Sequence, residues 1–266
     1  MQAAPFLVMG VVNVTPDSFS DGGRYYDYEA AVAHGRRLVD EGAAWVDVGG
    51  ESTRPGAEPV PVAEESRRVL PVVEALAAAG VNVSIDTRKA EVAEAAVAAG
   101  ARMVNDVSAS LGAVAGAAGV AFVAMHMLGD PRTMQREPRY GDVVLEVRDF
   151  LVGRAEAAVA AGSPEVWIDP GIGFGKTLDH NLDLLANLDV LVATGYPVLV
   201  GTSRKSTLGR LLARADGTDH IPPAGDRLAG SVATAAWAFQ RGAAMVRAHE
   251  VAATVRAAET VRRLAA

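Results

Sequence analysis

The sequence predicts an α/β protein, a (β/α)8 TIM barrel of eight parallel strands ringed by helices in a single domain. Three features point there. Eight apolar runs of strand length alternate with Ala-rich stretches of helical length. A glycine stands just before most of the runs, and the chain has 266 residues, close to the roughly 250 that such a barrel occupies as one domain.

In chain order, the first strand falls at 7–13 and leads to a helix at 27–41. The runs 45–48 and 81–86 precede helices at 63–79 and 90–99. Strands at 103–107 and 122–125 flank a short helix at 111–118, and the long stretch 142–161 follows the second of them. The run 166–169 precedes a helix at 179–193, and 198–200 precedes two, at 204–213 and 227–241. The last strand, 244–249, runs into the helix 251–265. Short continuous Val/Ile/Leu runs suit parallel strands covered on both faces. Gly42, Gly80, Gly100, Gly119, Gly162, Gly195 and Gly242 sit where the helices should stop, since glycine accepts the left-handed conformation common at helix C-termini. An open doubly wound sheet would want a Gly-rich first turn, and here that turn is Asn13-Val14-Thr15-Pro16. Eight units therefore favour closure, and no linker divides residues 1–266.

Half the residues are hydrophobic, 5% are aromatic and the net charge is −7. No basic run points to nucleic acid, and the absence of cysteine removes thiolate metal sites and disulfides. The N-terminus lacks a signal-peptide pattern and no apolar stretch approaches the about 20 residues of a membrane span. These features lead us to expect a soluble cytoplasmic protein.

In such barrels the active site lies at the C-terminal strand ends. Polar residues collect there: Asn13, Asp86, Asn105, Asp106, Asp169, Arg247 and His249, with Ser203, Arg204 and Lys205 just after the seventh strand. Any one of them could simply cap the next helix, but several at one level argue for a site. Strand parity sharpens this. Val83 and Ile85 should face helices and Ser84 and Asp86 the interior, while Arg247 and His249 share a face opposite Val246 and Ala248. Two donor groups two residues apart stand roughly 7 Å apart, which suits the two phosphates of a diphosphate. The competing reading pairs Arg247 with Asp47 or Glu51 and makes His249 a neutral core histidine. The interior carboxylates Asp86 and Asp169 need donors, which a planar amidine or guanidine-like edge supplies through paired hydrogen bonds. Asn105 adds a donor and an acceptor, and Lys205 can meet a ring carbonyl. Asp86 and Asp169 lie on nearly opposite strands, which argues against a shared metal ion.

The run Gly171-Ile172-Gly173-Phe174-Gly175-Lys176-Thr177 superficially matches a P-loop, but the required earlier glycine is Pro170. The polar Gly/Pro-rich stretches 16–23 and 51–62, with Asp21 and Arg54, have the length and position of lids.

Taken together, these segments resemble the dihydropteroate synthases of folate biosynthesis. The resemblance is carried by Met9 through Gly23, by Asp47-Val48-Gly49-Gly50-Glu51-Ser52-Thr53-Arg54-Pro55-Gly56, and by Ser84-Ile85-Asp86-Thr87. It continues through Val104-Asn105-Asp106-Val107-Ser108, Met125-His126-Met127, Asp169 through Thr177, Gly201-Thr202-Ser203-Arg204-Lys205 and Val246-Arg247-Ala248-His249. The match is collinear over nearly the whole chain. It implies condensation of 6-hydroxymethyl-7,8-dihydropterin diphosphate with 4-aminobenzoate, by an SN1-like path that needs no protein nucleophile. Carried over by position, Asp86, Asn105, Asp169 and Lys205 would hold the pterin, with Met125 and Phe174 lining its slot. Asn13, Arg247 and His249 would take the diphosphate, Asn13 through Mg²⁺. Phe19, Thr53, Arg54, Pro55 and Ser203 would shape the aminobenzoate side, and Asp21 would steer the amine or stabilise the cation. The catalytic set so implied is Asp21, Arg54, Lys205, Arg247 and His249. The family also implies a homodimer and competition by sulfonamides.

Three departures stand out: a short 108–119 segment, implying a fourth helix of only two turns, Thr207 in place of a bulkier apolar residue, and Glu250 where Asp is common. A pterin-binding methyltetrahydrofolate:corrinoid methyltransferase is the rival enzyme, but it has no use for Arg247 with His249 or for the Thr53-Arg54 loop. A non-catalytic pterin-binding protein is the other rival.

Overall fold

The structure, a computed structural model, describes residues 6–15, 23–53 and 56–264, with backbone only for 23–27. Eight strands form one parallel sheet: β1 (Leu7–Asn13), β2 (Trp45–Gly49), β3 (Val83–Asp86), β4 (Met103–Asp106), β5 (Ala121–Met125), β6 (Val166–Asp169), β7 (Leu199–Val200) and β8 (Met245–Ala248). The order is β6-β5-β4-β3-β2-β1-β8-β7. A bridge between Ile168 and Val198 joins the two ends, so the sheet closes on itself as a TIM barrel. That seam is short because β7 has two residues.

Around the barrel run α1 (Gly23–Asp40), α2 (Val62–Ala78), α3 (Ala90–Ala98), α4 (Gly112–Ala118) and α5 (Val143–Ala160). They are followed by α6 (Leu178–Ala186), α7 (Leu188–Val192), α8 (Ser206–Ala215), α9 (Leu228–Gln240) and α10 (Val251–Leu264). The seven glycines expected at helix ends all have positive φ, from 66° to 108°. The fourth helix is seven residues, two turns, as its short segment implied.

Several boundaries differ from the sequence-based expectation. The third strand starts at Val83, because the Val81 N–H closes the end of α2 on the Leu76 carbonyl at 3.1 Å. The expected helix 179–193 breaks at Asn187, whose ψ of 35° leaves the helical region and whose side chain donates to the Asp183 carbonyl at 2.8 Å. The first helix begins at Gly23 rather than 27. A 3-10 turn, Ala224–Asp226, lies between α8 and α9. The last strand ends at Ala248, so His249 stands just past it.

Side chains separate by parity into two cores. Val83, Ile85, Val246 and Ala248 face outward into the large apolar layer beneath the helices. A second, smaller cluster fills the barrel: Met9, Met103, Val123, Trp167, Leu199 and Met245. Because successive side chains alternate, the residue two positions after each of these also points inward. That rule carries the chain from packing to chemistry: Met103 leads to Asn105, Trp167 to Asp169, and Met245 to Arg247.

Candidate active site

Above the apolar floor, the strand ends turn polar. On β2 the inward position is Asp47, fully buried, opposite Ser84 in the β2–β3 register. Asp86 lies beside Asn105 in the β3–β4 register, and Met125 beside Asp169 in the β5–β6 register. Arg247 spans the centre. Its Nε donates to Oδ2 of Asp47 at 2.6 Å and its Nη2 to Oδ2 of Asp86 at 2.9 Å. The salt bridge to Asp47 weighed from the sequence is therefore present, with Asp86 as second partner. Glu51 is not a partner of Arg247. It pairs instead with Arg88 and Lys89.

Electrostatics follow from this crowding. Burial, and then the neighbouring Asp47 charge, push the Asp86 carboxyl up to about 7, against the pull of Arg247. Burial likewise raises Asp169, which Lys205 and the Gly171 N–H oppose. The Asp169 Oδ1 accepts from that N–H at 2.7 Å. Lys205 is drawn down to about 8 by burial, with Asp169 acting against the shift. Its ammonium donates to the Ile172 carbonyl at 2.6 Å and lies 4.6 Å from the Phe174 ring centroid.

His249 pairs through Nδ1 with the Ser203 hydroxyl at 2.9 Å, and Ser203 lies 3.2 Å from a Glu250 carboxylate oxygen. Glu250 in turn holds Arg204. The Glu250 departure is thus absorbed into the support of His249. Asn13 is half-buried at the end of β1, and Thr53 is half-buried in the loop between β2 and α2. Phe19, Asp21, Arg54 and Pro55, all expected in the site, lie outside the described residues.

Two polar residues near the strand ends, one closing β4 and one in the turn after β6, serve the backbone. Asp106 accepts from the N–H groups of Ser108, Ser110 and Leu111 at 2.6–2.8 Å, so for this residue the capping explanation holds. Lys176, the false P-loop lysine, is buried and shares its three N–H groups among the carbonyls of His126, Gly171 and Phe174 and Nδ1 of His126. It staples the turn from within, which explains why it is not aimed at a phosphate.

Sequence reasoning also missed the base of the β2–α2 loop. Lys89 joins Glu51 at 2.6 Å and pairs with the buried Glu65, which accepts from Thr87 at 2.7 Å. Glu51 further accepts the Val60 N–H at 2.7 Å. The only sequence signal was an abundance of charge around a lid, which did not specify pairing.

The family model described as "Pterin binding enzyme" matches residues 9–249. The chain belongs to this pterin-binding enzyme family. Within it, a relative named dihydropteroate synthase from Mycobacterium leprae is 51% identical over 98% of this chain and 94% of its own length. The solved dihydropteroate synthase of Xanthomonas albilineans with 4-aminobenzoic acid is 50% identical, covers 99% of this chain and 94% of its own, and superposes with a TM-score of 0.90. A structure from the same organism in complex with 7,8-dihydropteroate gives 47% identity, a TM-score of 0.86, and coverage of 98% and 94%. At these identities over nearly full length, this pterin-binding barrel is an enzyme of the dihydropteroate synthase group, a transferase of folate biosynthesis. No helix among its described residues is long and apolar enough to cross a membrane.

Proposed function

We propose that the chain, acting as one domain over residues 1–266, joins 6-hydroxymethyl-7,8-dihydropterin diphosphate to 4-aminobenzoate. The reading rests above all on one juxtaposition: inward acceptors Asp86, Asn105 and Asp169 share a barrel mouth with the inward cation Arg247. The acceptors suit a flat heterocycle rich in N–H groups, and the cation suits a departing anion.

Asp169 and Asn105 accept from the amidine edge of the pterin, Lys205 turns from the Ile172 carbonyl to a ring carbonyl, and Met125 and Phe174 pack on the ring. Arg247 and His249 receive the diphosphate. The C–O bond breaks with its electron pair leaving on the diphosphate, and the electron-rich dihydropterin carries the positive charge at its exocyclic carbon. The aniline nitrogen then forms the C–N bond and releases a proton. Cations preorganised around the leaving group lower the barrier where charge develops, and so no protein nucleophile is required. Thr53 and Ser203, with Phe19, Arg54 and Pro55, shape the aminobenzoate side, where sulfonamides would compete, and Asp21 steers the amine.

Asn13 fits a Mg²⁺ carried by the substrate. Among the described residues no cluster of three or more His, Cys, Asp or Glu could cage an ion, and Mg²⁺ characteristically takes one or two protein ligands with phosphate oxygens and water. When bound there it would neutralise diphosphate charge. We further propose a cytoplasmic homodimer.

The test is direct. Folded protein mixed with the pterin diphosphate, 4-aminobenzoate and Mg²⁺ should release diphosphate and form 7,8-dihydropteroate in equal amounts. Absence of both products would overturn the reading.

A further inference from the structure

Asp47 has no place among the ligand-touching residues above, yet it is bonded to both halves of the site. Its Oδ2 accepts from Nε of Arg247 at 2.6 Å and from Nδ2 of Asn105 at 3.0 Å. The side chain is fully buried, and its other oxygen, Oδ1, has no partner among the described residues. A buried carboxylate with one bare oxygen is a poor stabiliser. In a barrel floored by Met9, Met103 and Met245, an apolar side chain would pack at lower cost. What an apolar side chain cannot do is orient donors.

The orientation it imposes is specific. With Nδ2 of Asn105 committed to Asp47, the amide flip is decided, and Oδ1 of Asn105 is left to accept from a ligand N–H. With Nε of Arg247 on Asp47 and one Nη2 proton on Asp86, the guanidinium plane is held at two points. Its three remaining N–H groups have no partner among the described residues and can meet an anion. One carboxylate thus sets an acceptor for the ring and a donor fork for the leaving group.

We propose that Asp47 is a positioning residue that couples pterin recognition to diphosphate capture, by holding Asn105 acceptor-outward and Arg247 fork-outward at once. This rests on the roles proposed above for Asn105 and Arg247.

The test uses the full chain and two probes measured by calorimetry: 6-hydroxymethyl-7,8-dihydropterin without diphosphate, and inorganic diphosphate with Mg²⁺. In Asp47→Leu the shared acceptor is removed and Asn105 and Arg247 are released to turn, so each probe should bind about tenfold more weakly. The pterin loss should shrink to less than about twofold in an Asn105→Ala background, and the diphosphate loss likewise in Arg247→Ala, as expected of residues acting through one contact. Losses of equal size in every background would overturn the proposal. So would a lowered Tm with unchanged affinities, which is all a merely structural role would give. If Asp47→Leu does not fold, Asp47→Glu decides: the longer side chain keeps the charge but moves the shared acceptor, so weaker binding of both probes supports the proposal, and unchanged affinity for either refutes it. Turnover by the unaltered protein is measured alongside. Its absence would sink the functional reading, whereas turnover with additive losses would sink only the role of Asp47.

Discussion

Nζ of Lys176 lies 2.9 Å from Nδ1 of His126, inside the turn that follows β6. Lysine supplies the donor, so the histidine is the acceptor and its ring is neutral. Burial, and then the lysine charge, lower the His126 pKa to about 3. Between that value and the unfolded one near 6.5, the unfolded chain holds a proton that the folded chain does not. The stability is full above pH 6.5 and drains as pH falls toward 3. Urea unfolding at pH 7 and pH 4 should show a loss of about 3 kcal/mol from this group. A His126→Gln variant, with no titrating ring, should lose that much less across the same interval.

Removing the other partner should cost more at neutral pH. Lys176→Met leaves the carbonyls of His126, Gly171 and Phe174 without their shared donor. We expect about 2–4 kcal/mol of destabilisation, read from the urea midpoint, with weakened pterin binding because the same turn carries Phe174 and receives Lys205.

Gly171 is irreplaceable for a geometric reason. Its φ is +65°, and a Cβ there would stand 1.9 Å from the His126 carbonyl oxygen. Gly171→Ala should lose about 3 kcal/mol or more, from left-handed strain together with a backbone clash. Thermal unfolding with near-wild-type Tm would contradict this.

Asp169→Asn should keep the contact with the Gly171 N–H through its amide oxygen, and turn an NH2 group toward the ligand. Two donors would then face each other across the amidine edge. Pterin affinity should fall by about 2 kcal/mol, some thirtyfold, with little change in Tm. Unchanged affinity in calorimetry would remove Asp169 from the pterin site.

Arg247→Ala should weaken diphosphate-bearing ligands more than diphosphate-free pterin. It also strands Asp47 and Asp86 beside one another, so the folded protein should lose about 3–5 kcal/mol. Equal weakening of both ligands would argue against a diphosphate role.

Much of this is legible in the sequence. The alternation of β and α units, the glycines ending the helices and the two-residue parity are local properties of the backbone, and they foretold the barrel, the outward Val83 and Ile85, and the inward Asp86, Asn105, Asp169 and Arg247. Periodicity says which way a side chain points but not what it meets. Parity sets Asn105 and its neighbour Asp106 on opposite faces, but it does not reveal that Asp106 caps the loop after β4 or that Asn105 bonds to Asp47. For the same reason Lys176 could be excluded as a P-loop lysine without its true partners being seen.

What the sequence alone determined is the ring: which residue types arrive at the mouth of the barrel, and at which level. Only the tertiary structure decided how they are paired. Asp47, Asn105, Asp86 and Arg247 come from four strands, as far as 200 positions apart, and their bonds exist only because the sheet closes. Charge pairing at such separation depends on strand register and on burial, which removes water as the competing partner, and no local pattern in the chain encodes either.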